Sequence, residues 1–182
     1  ADIYLNSDAK SSVLPSGTPI NYTWSVPAEY TDVKVEWRYR YGSTLSAYQT
    51  VSTENSGTYL ISKFVGTDYL SITAKTASGA TYTETLTHNG FQASMPNEAN
   101  ASGDFVIDMR GVYRGNNYYL YINGELYADR LYVDSQTGMY SNNIPTSAFK
   151  TGANEIEIRY GNSSNSSYKK TVTKLDSISF SS

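Results

Sequence analysis

The segment TDVKVEWRYRYG, residues 31–42, alternates more cleanly than any other part of the chain. Val33, Val35, Trp37, Tyr39 and Tyr41 are separated by Asp32, Lys34, Glu36, Arg38 and Arg40. A period of two places the apolar set on one side of an extended strand and the charged set on the other. One face is then buried and one solvated, as in an antiparallel sheet. Towards the N-terminus, TPINYTWSV repeats the pattern with Ile20, Tyr22, Trp24 and Val26. Towards the C-terminus follow AYQTVST, GTYLISKF, DYLSITAKT and ATYTETLT, parted by the turn-forming pieces GSTLS, ENSG, VGT and ASG.

Alternation weakens over THNGFQASMPNEANASGD, and a second set of strands begins beyond it: DFVIDMRGVY, NYYLYI, ELYADRLYV, MYSNNIP, NEIEIRYG and YKKTVTKLDSISF. Strands recur roughly every 8 to 14 residues, a spacing that suits sandwiches rather than a parallel α/β fold. The fold expected is all-β, with two tandem antiparallel β-sandwich domains. The first spans residues 1–88 and the second residues 91–182, with His88–Gly90 as a solvated linker. Only PTSAFKTG offers a helical turn, capped by Thr146 or Ser147, and GNSSNSSYKK reads as a mobile hairpin loop.

Composition agrees with this organisation. Of 182 residues only 17% are charged, 18 are Tyr, and none is Cys. The net charge of −3 lacks the basic excess that nucleic acid calls for. No apolar run approaches the roughly 20 residues needed to cross a bilayer, so membrane insertion is not expected. The polar, Tyr/Ser/Thr/Asn-rich chain points to a secreted or cell-surface protein, and ADIYLN would suit a mature N-terminus left by signal cleavage.

Trp37, followed by VGTDYLSITAKTASGATYTETLT, resembles strands C, F and G of immunoglobulin-like and fibronectin type III modules. The resemblance covers roughly residues 13–88 and implies that Tyr69 caps a sheet corner. In the second half, YLYINGE and IPTSAFKTGANEIEIRY resemble bacterial Ig-like modules with an IPxxxLxxGxNxIxV ending. A jelly-roll of the carbohydrate-binding sort remains the alternative there. The inter-sheet disulfide of true Ig domains is missing.

Five tyrosines fall in NNYYLYINGELYADRLYV, residues 116–133. Asn123-Gly124 predicts a two-residue hairpin turn, which puts Ile122 opposite Glu125 and Tyr121 opposite Leu126. Tyr118, Leu120, Ile122, Tyr127, Leu131 and Val133 then form the core face. Tyr119, Tyr121, Leu126, Arg130 and Tyr132 form the other. Tyr119, Tyr121, Arg130 and Tyr132 are the first candidate ligand surface, since planar rings stack on sugars while a guanidinium bonds hydroxyls. The competing readings are simple cross-strand stabilisation and contact with a neighbouring protein module. A second candidate is the Lys34, Glu36, Arg38, Arg40 face, with GSTLS setting Arg40 opposite Tyr48 and Arg38 opposite Thr50. Arg38, Arg40 and Tyr48 would there hold an anionic polysaccharide or an acidic partner.

Catalysis and metals find little footing. His88 is the only histidine and no GxSxG elbow exists. One His without Cys argues against zinc. Calcium is the one cofactor left open, through Asp129, Asp134, or Asp104 with Asp108, although no DxDxDG loop occurs. Asp134 reads more simply as a turn residue with Gly138 at positive φ. Glu155 with Glu157, or Asp104 with Asp108, would be the only carboxylate pairs for glycoside hydrolysis. The expectation is therefore a non-enzymatic adhesion or matrix module. The alternatives are an accessory carbohydrate-binding module of a larger secreted enzyme, and a structural spacer or filament subunit.

Overall fold

A computed structural model describes residues 2–62 and 64–177; positions 178–180, the end of the last expected strand, lie outside them. The chain divides into two compact units, Ala1–Gly90 and Phe91–Ser182. Both are built mainly from antiparallel strands, and the fold is an all-β sandwich architecture.

In the first unit β1 (Tyr4–Ser7), β3 (Ile20–Ser25) and β7 (Ser56–Ile61) make one sheet. The facing sheet carries β4 (Thr31–Tyr41), β8 (Thr67–Lys75) and the first part of β9 (Thr81–Ser94). The short strands β5 (Thr44–Leu45) and β6 (Gln49–Ser52) pair with β4, and β2 (Val13–Pro15) pairs with β9. Ile20, Tyr22, Trp24 and Val26 are buried as their alternation requires, against Val33, Val35, Leu70, Ile72 and Ala74. The alternation of residues 33–41 buries less than it promises. Val33 and Val35 are covered, Trp37 and Tyr41 are half-buried, and Tyr39 is 39% exposed. Trp24, whose Nε1 donates to the Glu54 carbonyl at 3.1 Å, is the fully buried tryptophan instead. Tyr69 pairs with Arg38 and Thr87, and the Arg38 guanidinium lies 5.6 Å from its ring. No corner-capping bond from Tyr69 is found among the described residues.

The expected linker is a strand. β9 continues through residues 81–94, its first part paired with β8 and residues 91–94 with β11 (Asp104–Gly111). His88 is 3% exposed and Asn89 is buried, with Thr67 donating to its side chain at 2.9 Å. Gly90 is required by close approach: a Cβ there would lie 2.8 Å from both the Ser16 hydroxyl oxygen and the Val65 carbonyl oxygen. Residues that read as turn-formers serve here as small or hydrogen-bonding pieces of a packed strand.

In the second unit β10 (Glu98–Ala99), β17 (Ser167–Lys174), β16 (Gly152–Tyr160) and β12 (Gly115–Ile122) lie in that order, β10 parallel to β17. β13 (Glu125–Leu126) and β14 (Leu131–Val133) both pair with β12. The last residues of β9, β11 and β15 (Tyr140–Pro145) form the other sheet. The core holds Phe105, Ile107, Met109, Tyr118, Leu120, Ile156, Ile158 and Val172. Asn123 and Gly124 both have positive φ, 52° and 81°, and the hairpin has the expected register. After Leu126 the register shifts, leaving Glu125 and Asp129 exposed, while Tyr127 is only half-buried. The asparagine of the NxIxV ending has a structural reason. Asn154 is 1% exposed, donates to the carbonyls of Lys150, Gly152 and Val172, and accepts from Lys150 N and Asn123 Nδ2. PTSAFKTG holds one 3₁₀ turn, Thr146–Ala148, without a side-chain cap. A second 3₁₀ turn, Ser164–Ser166, closes the β16–β17 hairpin, capped by Ser163. Gly138 is absent from the positive-φ positions; its amide donates to Ser135 Oγ at 2.7 Å.

Candidate functional site

β12 is the centre of the first candidate surface. Because Leu120 and Ile122 point inward, Tyr119 and Tyr121 point outward and are half-buried. Arg130 reaches back from the loop between β13 and β14, placing its guanidinium carbon 4.3 Å from the Tyr119 ring centre. On the neighbouring strand Arg159 lies directly opposite Tyr119 and extends over Tyr121, at 4.0 Å. Tyr121 also donates its hydroxyl proton to Asn162. The result is two arginine–tyrosine stacks side by side on one sheet face.

The two arginines differ in what else they do. Arg159 donates to Glu157 at 3.0 Å, and Glu157 also accepts from Ser167 Oγ at 2.7 Å. The Arg159 hydrogen bond holds the Glu157 carboxyl below its usual range despite burial. Both Glu157 carboxylate oxygens are engaged, Oε1 by Arg159 and Oε2 by Ser167, which weighs against a Glu155–Glu157 hydrolytic pair. Arg130 has no hydrogen-bond or ion-pair partner among the described residues, so its donors face solvent.

Tyr132 belongs elsewhere. Its ring meets Tyr140 edge-on at 4.7 Å and its hydroxyl accepts from Arg114 Nε at 3.0 Å. No hydrogen bond or ring contact among the described residues joins it to Tyr119, Tyr121 or Arg130. Sequence reading missed Arg159 and Asn162. The alternation Ile156, Ile158 already turns Arg159 outward, but which strand lies beside β12 is a long-range pairing that alternation alone does not report.

In the first unit the hairpin after β4 is tighter than expected. Tyr41 pairs with Thr44 and Arg40 with Leu45, while Glu36 faces Thr50 and Trp37 faces Gln49. Arg40 is therefore not opposite Tyr48. Arg38 takes that partner, its guanidinium 4.2 Å from the Tyr48 ring centre. The two-residue turn and the break at residues 46–48 shift the register that a five-residue loop would impose.

His88 stands between two hydroxyls. Its Nε2 lies 3.0 Å from Ser7 Oγ and its Nδ1 lies 3.0 Å from the Tyr22 hydroxyl. Burial lowers its pKa and keeps the ring neutral. The third member of this chain is a phenol rather than a carboxylate, and Tyr22 itself is pushed up by burial. Such a chain ties β1, β3 and β9 together. No group of three metal-ligating side chains occurs among the described residues; Asp108 accepts from Ser141 and Asp134 lies 3.6 Å from Arg114.

No protein-family model matches the sequence, and no curated protein matches it. Among solved structures, the chain is similar to fibronectin(III)-like modules of CbhA from Clostridium thermocellum: 16% identity, TM-score 0.31, all of both chains covered. It is also similar to a 1.5-MDa bacterial ice-binding adhesin: 14% identity, TM-score 0.30, with 97% of this chain and 65% of that one covered. A third likeness is to murine CEACAM1b: 10% identity, TM-score 0.34, 96% and 99% covered. These resemblances are to fibronectin type III and Ig-like modules at the level of fold only. No helix among the described residues is long and apolar enough to cross a membrane.

Proposed function

We propose that the protein is a non-enzymatic, secreted or cell-surface adhesion module whose second unit contacts an acidic polysaccharide through Tyr119 and Arg130, flanked by Tyr121 and Arg159. The observation that carries this reading is Arg130, stacked on Tyr119 at 4.3 Å with no hydrogen-bond or ion-pair partner among the described residues. A guanidinium so oriented presents its fork to a uronate or sulfate, while the tyrosine edge offers apolar area to the ring. Arg38 on Tyr48 in the first unit is a weaker copy, because its Nε is buried without a partner.

The test is retention of the purified chain on insoluble acidic and neutral polysaccharides at about 0.15 M salt. The proposal expects retention on an acidic polymer, lost in Arg130→Ala and Tyr119→Ala, with circular dichroism unchanged. Equal retention of both variants would move the surface to the role of a stabilising sheet face. No retention on any polymer would favour a spacer or filament subunit.

A further inference from the structure

In the first unit, the inner face of β4 runs on beyond the sheet that covers it. Trp37 and Tyr39, 5.6 Å apart and tilted by 36°, line one wall of a cleft of about 470 Å³ with Tyr41. Phe64, Val65 and Gly66 form the other wall. That second wall is held by its own backbone: Gly17 N donates to Phe64 O at 2.7 Å, Ser16 Oγ to Val65 O at 2.7 Å, and Gly90 N to Gly66 O at 2.9 Å. The cleft is thus built before any ligand arrives.

Its lining includes one carboxylate. Asp68 pairs with Tyr39 on one side and His88 on the other, and is 1% exposed. Among the described residues its Oδ2 has no hydrogen-bond partner, and neither does Trp37 Nε1. The Trp37 indole lies near enough to favour the ionised carboxylate but falls short of hydrogen-bond geometry. Burial raises the Asp68 pKa to about 6, so the group is still mainly charged at neutral pH. A buried charge whose nearest donor is a misaligned indole N–H is poorly compensated, and aromatic walls attract cations.

We infer that this cleft is a binding site for an organic ammonium ion on an apolar stem, with the nitrogen at Asp68 and the stem between Tyr39 and Val65. The inference concerns the first unit and does not rest on the polysaccharide surface of the second. An apolar stem is favoured over a sugar because, among the described residues, Asp68 and Thr44 are the only non-aromatic polar side chains lining the cleft, too few for a ring of hydroxyls.

The test uses n-butylammonium and 1-butanol as charged and neutral probes at pH 8, read by the indole N–H resonances. Trp37 lines the cleft, while Trp24, buried and bonded to Glu54, serves as the internal reference. Butylammonium is expected to shift Trp37 saturably, with butanol about tenfold weaker or more. Asp68→Asn, which removes a buried charge and keeps the shape, should lose binding by a similar factor. Tyr39→Leu, at the exposed rim, should weaken it about threefold. Equal binding of butanol, undiminished binding by folded Asp68→Asn, or the absence of any saturable shift would overturn the inference. Tighter binding of glucosamine than of butylammonium would overturn the choice of an apolar stem.

Discussion

β4 and β12 are written in the same alternating code and end in opposite circumstances. β12 has 8 residues and its unit's facing sheet contains β11, also of 8, so Tyr118, Leu120 and Ile122 are all covered. β4 has 11 residues and faces a sheet whose longest strands, β3 and β7, have 6. At about 3.3 Å per residue, the excess leaves roughly 16 Å of inner face with no sheet above it. Trp37, Tyr39 and Tyr41 occupy that excess. An apolar alternation thus states which way a side chain points, whereas the length of the opposing strand states whether it is buried.

A pair of truncations separates the covered end from the open one. Tyr118→Ala should cost about 3–5 kcal/mol in urea unfolding, because its ring is enclosed by Phe91 and Tyr160. Tyr39→Ala, at the open end, should cost no more than about 1 kcal/mol. Similar losses would mean that the two ends are equally packed.

Gly90→Ala tests the strand that replaced the expected linker. Its Cβ would press on the Val65 carbonyl, a backbone atom held by Ser16, and a loss of about 1–3 kcal/mol in chemical denaturation is expected. A solvated linker would accept the same change without cost.

The open end also leaves a signature in pH. Asp68 has a folded-state pKa raised to about 6 from 3.8, so between those values the folded state binds the extra proton. Stability from this group is full below about pH 4 and is lost as pH rises through 6. His88, lowered by burial, acts in the opposite sense, favouring the folded state as pH rises towards its ordinary value. Comparing Asp68→Asn with the parent isolates the first contribution. The variant should be more stable by about 2 kcal/mol at pH 8 and equal at pH 4, measured by denaturant midpoints at both. No difference at pH 8 would show the carboxylate to be solvated.

Much of this was legible in the residues. The strand set, the all-β class, the Asn123-Gly124 hairpin and the inward set of β12 follow from period and turn chemistry, which are local. The continuous β9 was not legible, because His88, Asn89 and Gly90 resemble a turn unless one knows that Ser7, Tyr22 and Val65 crowd around them. The cleft was hidden for a related reason. Parity alone places Trp37, Tyr39 and Tyr41 in the core, and Asp68 reads as a lone acid in an apolar strand. Only the length mismatch between sheets brings those four residues to one cleft.

The smallest expected effects lie on the outer face of β12, where they separate binding from stability. Arg130→Ala removes one guanidinium from an exposed stack and should cost about 0.5–1 kcal/mol, as should Tyr119→Ala. Because Arg130 and Tyr119 touch, the double variant should lose less than the sum of the two. If the face exists to contact a polysaccharide, retention on the polymer should fall far more than these stability changes explain, and should fall further as salt rises in the parent protein. If the face only braces the sheet, thermal midpoints and retention should move together. Arg159→Ala provides the contrast within the same surface: it releases Glu157 from its hydrogen bond, so its stability cost should exceed that of Arg130→Ala.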